Sequence, residues 1–191
     1  SLLVMFFEKD LGSSLMFFAL FITMVWIATQ RAAYLALGTV LFSAGAFFAW
    51  RTFDHVQTRV TIWLNPWDDP SGKGFQVIQG WFSLAAGGVT GKGPGLGQPG
   101  LIPAADTDFI FAAIGEELGL LGGSLVLIAF VLMVGTGLRI ALTADREFDK
   151  LLAVGLTTLL GIQAFIIIGG ITRLLPLTGV TLPFISYGGS S

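Results

Sequence analysis

Apolar residues run without a single charge through four stretches of the chain, 11–29, 32–50, 118–138 and 151–172. Each holds roughly 19 to 22 residues, which at 1.5 Å per residue makes about 28 to 33 Å of helix, the thickness of a bilayer's hydrocarbon core. The pattern predicts four membrane-spanning helices in an all-α, polytopic membrane bundle. Only Gln30 and Arg31 separate the first two stretches, so these should form a tight helical hairpin. The short link between the last two carries Arg139, Arg146 and Lys150 interleaved with Asp145, Glu147 and Asp149. With both links on the cytoplasmic side, residues 51–108 form a long extracytoplasmic loop. The positive-inside rule supports this orientation, although the loop also carries Arg51, Arg59, Lys73 and Lys92.

The polar pattern divides that loop into three parts. Residues 63–70 are aromatic and polar, 75–86 are amphipathic, and 87–100 are glycine-rich. A structureless connection of this length is uncommon unless it is functional, so chemistry is expected there. After the fourth stretch, 174–191 stays apolar but is broken by Pro176, Gly179, Pro183, Gly188 and Gly189. Irregular backbone of this kind cannot face lipid unsatisfied, so it should begin a further, broken span that lines a cavity or packs inside the bundle.

Composition sharpens the class. Of 191 residues, 54% are hydrophobic and 12% charged, about half the charge of an ordinary soluble domain, which excludes a soluble globular protein. A net charge of −2 leaves no basic excess for nucleic acid. With no cysteine, a disulfide scaffold, an iron–sulfur site and a thiol nucleophile are excluded. His55 is the single histidine, which argues against a histidine-rich metal centre or a Ser-His-Asp triad. The first residues show no basic segment or small-residue cleavage site of a signal peptide.

Several motifs invite chemistry. The run from Gly87 to Gly97 fails as a phosphate-binding Walker loop, because Gly93 follows Lys92 where Ser or Thr is needed and Ala86 stands where a glycine is required. Gly95, Gly97 and Gly100 spell G-x-G-x-x-G without the flanking strand and helix that give that motif meaning. Two readings of the run stand: a flexible loop, or one whose amides and Lys92 touch an anionic ligand. Asp106, Asp108, Glu116 and Glu117 gather where the third span begins. Acids there complement the positive end of a helix dipole. At 100° per residue, however, Ala112, Gly115, Gly119 and Gly122 lie within about 40° of Asp108, so this acid shares a close-packing face of small residues and should point into the bundle at the outer membrane surface. Glu117 falls on the opposite side, as a solvated group or a structural partner. Asp10 is either a helix cap or a second acid in the same cavity. Arg51, Arg59 and Lys73 are either solvated loop charges or ligands for a diphosphate. Trp50, Trp63, Trp67 and Trp81 suit an interfacial belt, and His55 a hydrogen-bonding role in the loop. Mid-span, Gln163 is the only strongly polar side chain, whereas transporters usually place ionisable groups near the midplane.

Three blocks then coincide in order and spacing. They are Asn65-Pro66-Trp67-Asp68-Asp69-Pro70 running into Gly72-Lys73-Gly74-Phe75-Gln76; Thr107-Asp108-Phe109-Ile110-Phe111 running into Gly115-Glu116-Glu117-Leu118-Gly119; and Pro176-Leu177-Thr178-Gly179-Val180-Thr181-Leu182-Pro183-Phe184-Ile185-Ser186-Tyr187-Gly188-Gly189-Ser190-Ser191. Together with Asp10-Leu11-Gly12 they resemble the SEDS family (shape, elongation, division and sporulation), the RodA-, FtsW- and SpoVE-like peptidoglycan glycosyltransferases, and the RodA-like members slightly more than the others. The resemblance implies a ten-span fold, of which this chain would hold about four complete spans and the start of another. It would therefore be a C-terminal-half fragment, inactive alone.

The resemblance also implies a reaction: joining lipid II units into β-1,4 glycan at the outer face of the bacterial plasma membrane, with undecaprenyl diphosphate as leaving group. The family's catalytic aspartate maps onto Asp108. Arg59, Lys73 and Lys92 become candidates for the diphosphate, with Asp10, Asp106 and Glu117 as further substrate-side candidates. A class B penicillin-binding protein, a transpeptidase, is the implied partner within the lipid membrane. The family often shows Pro-Glu-x-His before the Thr-Asp pair, where this chain has Pro103-Ala104-Ala105-Asp106. Asp106 could replace part of that role. No metal-ligand spacing is present, so a divalent cation such as Mg or Mn would arrive with substrate. The alternatives are a flippase or transporter for the lipid-linked precursor, and a scaffold that recruits cell-wall enzymes.

Overall fold

The computed structural model describes residues 11–98, 100, 102–103 and 105–187; the expectations for Asp10 and for Gly188, Gly189, Ser190 and Ser191 lie outside them. Among the described residues every regular element is helical: α1 (Leu11–Thr29), α2 (Ala32–Thr52), α3 (Asp54–Leu64), a 3-10 turn (Pro66–Asp68), α4 (Phe75–Gly87), α5 (Ile110–Thr143) and α6 (Glu147–Ile171). Four of them, α1, α2, α5 and α6, are long and apolar enough to cross a membrane. Large apolar side chains such as Phe21, Val40, Val131 and Leu142 stand exposed on these helices, as a surface solvated by lipid tails requires.

The chain forms two compact units. One draws on residues up to Gln57 and on Val131–Ile162, the other on Thr58–Phe130 and residues from Gln163 onward. In the first unit, Gln30 adopts φ 55° and its amide reaches the Trp26 carbonyl at 2.8 Å, which closes α1 with a left-handed residue. The α1–α2 hairpin packs through Gly38, where an added Cβ would stand 2.8 Å from Ile22, and through Phe18 stacked on Phe42 at 6.0 Å. Gly137 of α5 makes a similar close approach to Thr157 of α6.

The second unit holds the long connection. Its core gathers Phe109, Phe111, Ala112, Ile167, Ile171 and Leu182. The connection is not structureless. Helix α4 coincides with the amphipathic stretch, whereas α3 had no clear signal. None of its side chains is fully buried, and its apolar stripe is short, Val56, Val60 and Trp63 at i, i+4 and i+7. Phe53, at φ −115° and ψ 117°, separates α3 from α2.

The acidic head of α5 departs from the expected geometry. Asp108 lies in the turn before α5 rather than on it, and Gly119 breaks the helix with φ 65° and ψ −163°, so the expected helical face shared by Asp108, Gly119 and Gly122 does not form. The break takes backbone groups out of the helical ladder, and these need partners. The glycine run provides them. Lys92 and Gly93 amides donate to the Glu116 and Glu117 carbonyls, both at 3.0 Å, and the Leu120 and Leu121 amides donate to the Gly88 and Val89 carbonyls at 2.9 and 3.2 Å. Added Cβ atoms on Gly87, Gly91 and Gly119 would run into backbone of the opposite segment. The run therefore does not offer those two amides to an anion: it braces a broken helix.

Glu116 is also not a water-facing acid. Its side chain is 3% exposed, accepts from Lys92 Nζ at 2.6 Å and from the Gln98 amide at 3.2 Å through Oε1, and leaves Oε2 without a hydrogen bond. Lys92→Met would leave that buried carboxylate without its counter-charge. An expected loss of about 1–3 kcal/mol follows, read as a lower melting temperature of the solubilised full-length protein. A melting temperature equal to wild type would show that the pair contributes nothing.

Candidate active site

Within the second unit lies a cavity of about 160 Å³ walled by Arg59, Ile62, Trp63, Lys73, Gln76, Val77, Asp108, Phe109, Gly170, Arg173, Leu175, Leu177 and Gly179. Four segments build it. Helix α3 presents Arg59, Ile62 and Trp63, spaced i, i+3, i+4 so that they share one face. The start of α4 contributes Gln76 and Val77, and the loop before it Lys73. The turn ahead of α5 brings Asp108, and the irregular segment after α6 closes the wall.

Asp108 is held by its neighbours in sequence. Phe109 is 1% exposed, and its ring packs so closely on Gly80 of α4 that an added Cβ there would come within 2.5 Å of it. Burial raises the Asp108 carboxyl above the ordinary aspartate range, against a hydrogen bond from the Thr107 side chain and the charge of Arg59, which both lower it. Gly179 stands between the two charged groups: a Cβ on it would lie 3.7 Å from Asp108 Oδ2 and 3.8 Å from Arg59 Nη2. Its φ of 76° suits glycine. Arg59 Nη1 donates to the Leu177 carbonyl at 2.9 Å, which orients the guanidinium.

Arg173 is the cation that residue-by-residue reading did not single out. It sits at φ 66°, just beyond α6, where the Leu174 and Leu175 amides turn back to the Gly169 carbonyl at 2.8 and 3.0 Å. Its Nη2 donates to the Leu64 carbonyl at 2.6 Å and its Nε to that of Trp63 at 3.3 Å, while the guanidinium covers Trp81 at 5.4 Å. The Trp63 and Trp81 indoles donate to the Arg173 and Ile171 carbonyls, both at 3.0 Å. Trp63 lines the cavity, and both indoles are tied to the end of α6. A basic residue at the C-terminal edge of an apolar span was the available signal. Gln76 also went unnoticed as a side chain of the wall; its Nε2 donates to the Pro103 carbonyl at 2.9 Å.

The structure thus brings Asp108, Arg59 and Lys73 together and leaves other candidates outside the wall. Lys92 is paired with Glu116, and Glu117 lies beside Gly97. Asp106 is exposed, its carbonyl accepting from the Tyr187 amide at 2.8 Å. Arg51 lies over Phe47 and Trp50, at 5.4 and 5.6 Å, and is not in the wall.

A half-buried carboxyl beside Arg59, in a cavity also lined by Lys73 and Arg173, can take a proton from a hydroxyl while the cations receive a developing negative charge. Among the described residues no group of three or more His, Cys, Asp or Glu side chains is placed to hold a metal ion.

Comparison with known proteins adds an independent line. The family described as cell cycle protein, comprising FtsW, RodA and SpoVE, matches residues 1–191. The chain is 52% identical over 188 residues to the peptidoglycan glycosyltransferase RodA of Mycobacterium bovis, covering 98% of this chain and 40% of that protein. It is 44% identical over 186 residues to the probable peptidoglycan glycosyltransferase FtsW of Geobacter metallireducens, covering 96% and 50%. A solved chain from work on structural coordination of polymerization and crosslinking by a peptidoglycan synthase complex superposes with a TM-score of 0.76 at 31% identity, covering 97% of this chain and 52% of that one. The chain spans about two fifths to one half of the relatives it matches.

Proposed function

The chain belongs to the FtsW, RodA and SpoVE family of cell cycle proteins, and on that premise we propose that it carries the catalytic half of a peptidoglycan glycosyltransferase that polymerises lipid II. The observation that carries this reading is the juxtaposition of Asp108 with Arg59, Lys73 and Arg173 around one cavity. Asp108 is the general base. It accepts the proton of the acceptor sugar's 4-hydroxyl as that oxygen bonds to the anomeric carbon of the donor. The bond from that carbon to the diphosphate breaks on the opposite side, which inverts an α-linked donor to a β-1,4 glycan. Arg59, Lys73 and Arg173 receive the charge on the departing undecaprenyl diphosphate. A divalent cation would enter bound to the diphosphate, since the acids near the cavity are too few to hold one.

The protein is a multi-pass membrane protein. We place it in the bacterial plasma membrane with the cavity facing outward, where lipid II is polymerised, beside a class B penicillin-binding protein that crosslinks the product. The test is glycan synthesis from purified lipid II by the full-length protein with its transpeptidase partner. Flipping of the precursor in vesicles without any polymerisation would replace this reading with a transporter.

The acid limb of the pH profile provides a second measurement. Only the ionised Asp108 accepts a proton, and burial raises its pKa, so activity should rise with pH through a value above the ordinary aspartate range, which is about 3.9. Arg59→Gln removes an influence that lowers that pKa, so the limb should move to higher pH while kcat/KM falls about tenfold or more. A limb that stays in place or moves to lower pH would refute the coupling.

A further inference from the structure

We infer that Ser186, far from Asp108 in sequence, is a positioning residue for it. The proposal rests on the reading of Asp108 as the base. Ser186 is 6% exposed, and its hydroxyl is engaged twice. The Leu182 amide donates to Oγ at 2.8 Å, and Oγ donates to the Thr107 carbonyl at 2.7 Å. One residue on, the Tyr187 amide donates to the Asp106 carbonyl at 2.8 Å. Two successive residues of the irregular segment after α6 thereby grip two of the residues leading into Asp108.

The grip reaches the carboxyl itself. Thr107, whose carbonyl Ser186 holds, offers its own side chain to Asp108 as a hydrogen-bond donor. The order is then a buried hydroxyl, a fixed peptide, a second hydroxyl and the reacting carboxylate. Phe184, between Leu182 and Ser186, has φ 63° and is exposed. A non-glycine residue in that region is uncommon and is retained where its surroundings fix it. Here the Leu182–Ser186 bond, together with the Ser186 amide on the Leu182 carbonyl at 3.0 Å, closes the turn around it.

A carboxyl whose orientation is set this way loses productive geometry when the turn loosens, while the cations that bind the donor stay in place. Arg59 from α3 is the charged group acting on Asp108, Lys73 from the loop before α4 and Arg173 from the segment after α6 line the same cavity, and none is bonded to Ser186. The test uses the full-length enzyme with its partner and purified lipid II. Ser186→Ala should lower kcat about ten- to hundredfold with KM within twofold. It should also move the acid limb to higher pH, because the donor that lowers the Asp108 pKa is no longer held. Thr107→Val should move the limb the same way, and the double variant should lose less than the sum of the two.

A kcat and an acid limb within error of wild type in Ser186→Ala would overturn the proposal, as would full additivity with Thr107→Val. Should Ser186→Ala fail to assemble, Thr107→Val carries the test alone: it keeps both Ser186 bonds, and an unmoved acid limb overturns the relay. If Asp108→Asn retains polymerisation, the base reading fails instead. The two failures are therefore distinguishable.

Discussion

Asp108→Asn should reduce glycan synthesis by about 10²- to 10⁴-fold, the usual contribution of a positioned base. Asparagine has nearly the same shape and can still accept the Thr107 hydrogen bond, but it cannot take up the proton of the attacking hydroxyl. Burial already disfavours the charged carboxylate, so neutralising it should leave the melting temperature of the solubilised protein equal or higher. Lipid II binding should change little, because the cations of the cavity wall remain. The signature is therefore a collapse of kcat with fold and KM preserved, measured as glycan chains formed by the full-length protein with its partner. Polymerisation within tenfold of wild type would remove Asp108 from the mechanism.

The second large effect is structural. Gly119→Ala should abolish most folded protein. The observed φ of 65° and ψ of −163° belong to a region that only glycine occupies readily, at about 1–3 kcal/mol for other residues. The added Cβ would also collide with the Gly91 amide nitrogen and the Val89 carbonyl oxygen. Relieving that contact pulls the glycine run off the helix and exposes the bonds from Leu120 to Gly88 and from Leu121 to Val89. Each buried group left unpaired adds about 1–3 kcal/mol. Against a total stability of about 5–15 kcal/mol, such a sum is close to unfolding. Gly135→Ala is the matched control in the same helix, since an added Cβ there meets nothing within 4 Å. Solubilised yield and melting temperature decide the matter: equal values for the two variants would show that the break at Gly119 is tolerant.

The particular residues show why some of this was legible and some was not. The spans announce themselves by the absence of charge, because a lipid-facing helix must satisfy its backbone internally and tolerates few ions. The amphipathic pattern of α4 was readable from its apolar periodicity. Helix α3 carries only a short stripe in eleven residues, broken by polar and charged positions. Asp108 could be singled out from its motif and from its place at the head of a span. Glu116 misled, because two adjacent acids at a span entrance look solvated until the chain folds Lys92 and the Gln98 amide over one of them.

The sequence by itself determined that this is a membrane helical bundle, and its motifs carried the resemblance that points to Asp108. The first follows from local composition, the second from motifs matched in order and spacing. Only the tertiary structure decided the membership of the cavity. Arg173 was admitted by its own left-handed conformation beyond α6, Lys92 was withdrawn by its ion pair with the buried Glu116, and Ser186 was linked across 79 positions to Thr107, the neighbour of Asp108. Such choices depend on backbone breaks at Gly119 and after Ile171. There the chain leaves its periodic path, and the partners of the freed groups come from segments that no local pattern connects.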